Sequence, residues 1–170
     1  MWRERDWYDG SHFLQALPPT LRNEVSVHMK QDVLQQVDLF QGAPAAFREE
    51  LAKHLQPEVL TPGGFVFQEG DEGDNVYFIA HGKVEILRGK GLGRIRTLGP
   101  GDFFGEIALF TEGPRTASVR AIEFSEVYWL TKSAFQRVAE RFPSEVKPME
   151  EKARAREPDA DFRMGTNRES

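Results

Sequence analysis

The chain has 170 residues, 39% of them hydrophobic, no cysteine, and 27 acidic against 22 basic residues for a net charge of −5. The apolar fraction suffices for a packed core and excludes wholesale disorder. The acidic balance argues against broad binding of nucleic acid or anionic lipid, which need a basic face, and the lack of cysteine excludes disulfides and thiolate metal sites and fits a cytoplasmic setting.

No apolar run reaches the length of a membrane span, and Met1-Trp2-Arg3-Glu4-Arg5-Asp6 is not a signal peptide. Residues 1 to about 56 read as helical, with Leu14, Leu17, Leu21, Val25, Val27, Leu34, Val37 and Leu39 at near-helical spacing. Pro18-Pro19-Thr20 interrupts that stretch, and Thr20 is expected to cap the helix that follows. Asp38-Leu39-Phe40-Gln41-Gly42 reads as a helix end and turn, and Pro44 as the opening of a helix from Ala45 to Leu55.

From Pro57 the texture changes to short β runs separated by glycine turns. The expected strands are 58–61, 65–67, 76–80, 83–87, 94–98, 118–121 and 126–130, with Lys83-Val84-Glu85-Ile86-Leu87 alternating cleanly. Many short strands with such punctuation predict an α+β fold, an antiparallel β-roll resembling a jelly roll, flanked by N-terminal and C-terminal helices. Thr131 is expected to cap a helix with Phe135, Val138, Ala139 and Phe142 on its apolar face. Pro143 ends that helix, Ser144 caps a last one running to about Arg156, and residues 158–170 read as a polar tail.

The segment 104–119 carries the chemistry. Gly105 lets the backbone approach a ligand closely, the N–H groups opening a short helix favour an anion, and Arg115 offers a fixed fork of donors to phosphate oxygens. In an acidic protein a phosphate site has to concentrate positive charge locally, and Arg115 is the residue that does so. Neither a P-loop, a Ser-His-Asp set nor paired catalytic carboxylates can be read, and the four histidines lack metal-ligand spacing, so the chain reads as a binding module without enzyme activity or cofactor.

Gly82, the run Gly99-x-Gly101-Asp102-x-Phe104-Gly105-Glu106 and the run Pro114-Arg115-Thr116-Ala117-Ser118-Val119 together resemble the cyclic-nucleotide-binding domain, from about Pro44 to Arg156. Gly105-Glu106 followed by Arg115-Thr116-Ala117 is similar to that family's phosphate-binding cassette. Leu17-Pro18-Pro19-Thr20-Leu21-Arg22-Asn23-Glu24-Val25, with the later Asp38-Leu39-Phe40, resembles the end of the C-linker of cyclic-nucleotide-regulated ion channels. The implied organisation is a helical leader over 1–43, a nucleotide domain over 44–157 with its roll at about 57–130 and helices at about 131–157, and the tail.

The resemblance implies a ligand, cAMP or cGMP, and a role for each matching residue. Arg115 pairs with the cyclic phosphate, Ala117 gives it a backbone N–H, and Glu106 accepts from the ribose 2′-OH. Phe104, Gly105, Ile107 and Ala108 frame ribose and phosphate, the last three through backbone groups. Thr116 can bond a guanine amino group and so allows cGMP without excluding cAMP; Ile86 and Leu98 face the purine, and Arg156 lies over the base. Glu106, Thr116, Ile86 and Leu98 each also have an ordinary reading, as a solvated carboxylate, a strand residue or core.

The implied function is nucleotide sensing in the cytoplasmic part of an ion channel, with a transmembrane pore domain of the same polypeptide as partner. The full-length protein is expected to be a homotetramer and the isolated piece a monomer or weak oligomer, with no nucleic acid bound. A catabolite-activator type of transcription regulator would append a helix-turn-helix, for which the chain after Arg141 is too short and too broken by proline. A kinase regulatory protein, an enzyme of the cupin type and a degenerate domain that binds nothing are the other readings; a cupin would need histidines clustered on strands, which the four here are not, and the intact Gly105-Glu106 and Arg115-Thr116 speak against the last.

Overall fold

The computed structural model describes residues 16–156. The expectations for the first fifteen residues and for the polar tail lie outside them. Helix α1 (Pro19–Gln36), a 3-10 turn (Asp38–Phe40) and helix α2 (Ala45–Ala52) lead into eight strands. These are β1 (Gln56–Leu60), β2 (Phe65–Phe67), β3 (Val76–His81), β4 (Val84–Arg88), β5 (Gly93–Leu98), β6 (Phe103–Phe104), β7 (Ser118–Ala121) and β8 (Ser125–Leu130). A second 3-10 turn (Glu106–Leu109) lies between β6 and β7, and helices α3 (Lys132–Ala139) and α4 (Pro143–Arg156) follow β8.

The strands form two four-stranded antiparallel sheets, ordered β1-β8-β3-β6 and β2-β7-β4-β5. The roll predicted from the sequence is therefore present, with flanking helices at both ends. The first sheet is covered on both faces. Val76, Phe78, Tyr128 and Leu130 pack against the helices, while Tyr77, Ile79 and Val127 point between the sheets. That double burial explains why 76–80 reads as a continuous apolar run instead of an alternation. Phe40 joins the two halves, with its ring 6.2 Å from Phe47 and 5.4 Å from Phe78.

Several local expectations are corrected. Helix α1 begins at Pro19 with Pro18 as its cap and no side-chain capping bond, so Thr20 lies inside the helix. Proline at the first helical position has its φ already set and no N–H to satisfy, which removes the need for a capping side chain. Pro143 likewise starts α4, and Ser144 lies in that helix's first turn. Helix α2 stops at Ala52, short of Leu55. Helix α4 continues through Pro148, held by buried Met149 and Ala153 and by Lys152, whose Nζ donates to the Gln41 carbonyl at 2.6 Å. Thr131 does cap α3, its Oγ1 accepting from the Ala134 N–H at 3.1 Å. The two-residue strand β6 was not anticipated; it is too short to show periodicity.

On β4, Glu85 points away from the roll interior yet is only 5% exposed. Arg120 of β7 (Nη2 to Oε1, 2.7 Å) and Arg94 of β5 (Nη2 to Oε2, 2.6 Å) fold over its carboxylate from the two neighbouring strands. Hydrogen bonds from Arg120 first, and then from Arg94, hold the Glu85 carboxyl below its ordinary pKa against the opposing effect of desolvation.

Candidate functional site

A cavity of about 310 Å³ opens between the inner face of the second sheet and the segment from β6 to β7. The loop before β7 is fixed to the turn after β2. The Arg115 N–H donates to the Asp71 carbonyl, the Gly70 N–H donates to the Arg115 carbonyl, both at 2.8 Å, and the Glu69 N–H donates to Ser118 Oγ at 2.9 Å. Gln68 and Asp71 close that turn on themselves, the Gln68 N–H donating to Asp71 Oδ2 at 2.9 Å.

These bonds aim the Arg115 side chain inward, where it is 8% exposed. Nη2 donates to the Asn75 carbonyl at 2.9 Å and Nη1 makes a longer contact of 3.4 Å to the Gly105 carbonyl. The guanidinium carbon lies 4.1 Å from the centre of the Phe67 ring. Below it, Phe67, Tyr77 and Phe104 form an aromatic trio, with Tyr77 and Phe104 stacked at 4.9 Å. Nε is buried without a hydrogen-bond partner, and among the described residues no carboxylate pairs with this guanidinium. Burial pushes the Arg115 pKa down; the nearby Tyr77, Asp74, Asp71 and Glu106 oppose that shift. A buried cation with an unused donor is costly to keep, and an anionic acceptor in the cavity would relieve that cost.

Gly105 adopts φ +79°, in the left-handed region. A Cβ there would lie 2.8 Å from the Asn75 carbonyl oxygen and 3.0 Å from Arg115 Nη1. Glycine is thus required twice, for the turn into the 3-10 segment and for the approach of the guanidinium. The Gly105 carbonyl also accepts from the Ala108 N–H at 3.2 Å, and the Ile107 carbonyl from Phe110 N–H and Thr111 Oγ1. Part of the backbone polarity of this turn is therefore spent internally.

Of the residues singled out from sequence, Arg115, Thr116, Glu106, Gly105, Phe104, Ile107, Ala108, Ala117 and Ile86 all line the cavity. Leu98 does not: it is 3% exposed and lies in the core between the sheets. It pairs with Val84 in a row that is fully core, one row deeper than Ile86, which fits its ordinary reading as a core residue. Periodicity reports the face and not the depth. Arg156 is the last residue of α4, and its side chain lies outside the described residues.

Sequence reading missed Phe67, Gly73, Arg88, Ile95 and Arg96, which also line the cavity. Arg88 Nε donates to the Thr116 carbonyl at 3.2 Å, so it braces the residue next to Arg115. Ile95 and Arg96 are consecutive yet both reach the cavity, because the β4–β5 register shifts by one residue between Ile86 and Leu87. A bulge re-aims side chains that strict alternation would send to opposite faces. The available signal was the basic alternation Arg94-Ile95-Arg96 beside a glycine turn. The cavity thus holds Arg88, Arg96 and Arg115 against Glu106 and Glu112, a local positive excess in an acidic chain. A guanidinium at one end, apolar walls and the buried carboxylate of Glu106 suit a small anionic ester that carries a flat ring.

The sequence profile of the cyclic nucleotide-binding domain matches residues 57–142. The chain is 30% identical over 160 residues to cyclic nucleotide-gated channel alpha-3 of Homo sapiens, covering 91% of this chain and 23% of that protein. It is 34% identical over 147 residues to cyclic nucleotide-gated channel alpha-4 of Mus musculus, covering 83% and 26%. The chain therefore spans about a quarter of the length of these relatives. Among solved structures, the regulatory domain of Toxoplasma gondii PKA, co-crystallised with cAMP, superposes with a TM-score of 0.66 at 26% identity, covering 79% of this chain and 54% of that one.

Proposed function

The chain belongs to the cyclic nucleotide-binding domain family, and we propose that it binds cAMP or cGMP in the Arg115 cavity as the nucleotide-sensing part of an ion channel. The observation that carries this reading is the buried Arg115 guanidinium, whose Nε has no hydrogen-bond partner and which faces a cavity of about 310 Å³. A cyclic phosphate supplies the missing acceptor and the opposite charge. Glu106 accepts from the ribose 2′-OH, the backbone of 105–108 and of Ala117 frames sugar and phosphate, and Thr116 borders the base. Ile86 packs on the purine together with Ile95, which takes the place first given to Leu98.

Sensing requires that the ligand favour one of two arrangements of a mobile element. Helix α4 is that element in this reading: it closes over the base, brings Arg156 to it, and passes the change to α1 through the 3-10 turn on which Lys152 rests. The channel reading is supported by the identity to the two gated channels, which extends beyond the nucleotide domain into the leader. It implies a pore domain in the same polypeptide, a cytoplasmic position, a tetrameric whole and no catalysis. Among the described residues no helix is long and apolar enough to cross a membrane. The likeness to the PKA regulatory domain favours a second reading, a soluble kinase-regulatory protein using the same site.

Calorimetry with cAMP and cGMP tests the site. Removing charge-assisted bonds with Arg115→Ala should weaken both nucleotides about ten- to a hundred-fold. Unchanged affinity for both would defeat the assignment.

A further inference from the structure

The turn after β2, the loop before β7 and the end of β4 meet at the Arg115 end of the cavity. The turn holds one flank of the loop through the N–H groups of Arg115, Gly70 and Glu69. It also holds the end of β4, because the Gly89 N–H donates to Glu69 Oε2 at 2.9 Å. The other flank of the loop has a different support. The β4–β7 ladder ends at the pair of Leu87 and Ser118. Beyond that pair β4 turns away, and Arg88 pairs with Gly93 of β5 instead. Arg88 Nε donates to the Thr116 carbonyl at 3.2 Å. A side chain thus continues the link between β4 and the Arg115 loop where backbone pairing stops. Thr116 follows Arg115 directly, so this bond decides whether the loop is held on one flank or on both.

We propose that Arg88 is a positioning residue for phosphate binding: its Nε–H acts as a hydrogen-bond donor, and not as a charge, to fix the loop that carries Arg115. This rests on the reading that a cyclic nucleotide occupies the cavity with its phosphate on Arg115. A binding group works at full strength only when its support holds it close to the productive geometry before the ligand arrives. Without the bond to Thr116, the loop can pivot about its attachments to the turn, and ordering it becomes a cost of binding. The phosphate is common to cAMP and cGMP, so the brace serves both alike, although Arg88 also lines the cavity. Arg88 makes a further interaction within the protein, and the brace itself needs only Nε. That requirement has a chemical signature. Glutamine carries its amide nitrogen as many bonds from Cα as arginine carries Nε, and it is a neutral donor. Methionine reaches the same length without a donor.

Calorimetry with cAMP and cGMP on wild type, Arg88→Met and Arg88→Gln tests this. Arg88→Met should bind both nucleotides about tenfold more weakly, the effect of one lost hydrogen bond. Arg88→Gln should stay within about threefold of wild type for both. The ligand-free thermal midpoints of the two variants should match that of wild type, and Arg88→Ala replaces the methionine variant if that one does not fold. The proposal is overturned if Arg88→Gln loses as much affinity as Arg88→Met, which would give the role to the charge. It is overturned equally if Arg88→Met weakens one nucleotide alone, which would make Arg88 a base contact, or if it weakens neither. A loss of affinity that comes with a lowered ligand-free midpoint would make the bond a general structural one and also overturn it. Those results leave nucleotide binding itself intact. Failure of both nucleotides to bind wild type would instead remove the underlying reading along with this one.

Discussion

Arg115 and Gly105 have to be understood as a pair. The guanidinium needs the Gly105 carbonyl and the space where a Cβ would stand, and the glycine needs its positive φ to begin the 3-10 turn. Gly105→Ala is therefore expected to cost roughly 1–2 kcal/mol from the left-handed backbone alone, with more from the 2.8 Å approach to the Asn75 carbonyl. A urea titration should show a lower midpoint, and calorimetry should show weaker nucleotide binding because Nη1 is displaced. Full stability in this variant would mean that the turn relaxes at no cost. At this scale the sequence was largely readable. Glycine, glutamate and arginine announced themselves by type and order, since each does something no other residue does. Phe67 did not, because one aromatic in a short strand looks like any core residue until the fold brings the guanidinium over its ring.

The second sheet behaves as a unit clamped from outside. Glu85 on β4 holds Arg94 of β5 and Arg120 of β7, and those two strands carry Arg96 and Val119 on the cavity side. The folded-state pKa of Glu85 is below its unfolded value. The clamp's contribution is therefore complete above the unfolded carboxyl pKa and is lost as pH falls through the depressed folded value. Glu85→Gln should be less stable than wild type at pH 7, and the gap should close below about pH 4. Thermal melts of both proteins across that range check this; a gap that does not change with pH would assign Glu85 a packing role only. The four strands of this sheet were legible from their glycine boundaries. The one-residue shift between β4 and β5 was not, because a bulge is set by pairing between strands and leaves the sequence pattern almost unchanged.

For the whole molecule, the proposed nucleotide binding carries a consequence for folding. A ligand that binds only the native state at a hundred times its Kd adds about 2.7 kcal/mol of stability. Saturating cAMP or cGMP should thus raise the thermal midpoint of the wild-type chain and leave that of Arg115→Ala nearly unmoved at the same concentration. An equal rise in both would place the ligand elsewhere. The first sheet is packed on both faces, by the helices on one side and the second sheet on the other, so the cavity wall and α1, α2 and α4 share one continuous structure. Composition, hydrophobic spacing and the special residues of 99–119 by themselves determined that the chain is a β-roll with flanking helices and which segment lines the Arg115 cavity, because backbone geometry and charge are local properties. Only the tertiary structure decided that Leu98 is core, that Arg88 and Arg96 join the cavity and that Glu85 is shielded, because depth, register and the partner of a charge depend on which strands become neighbours.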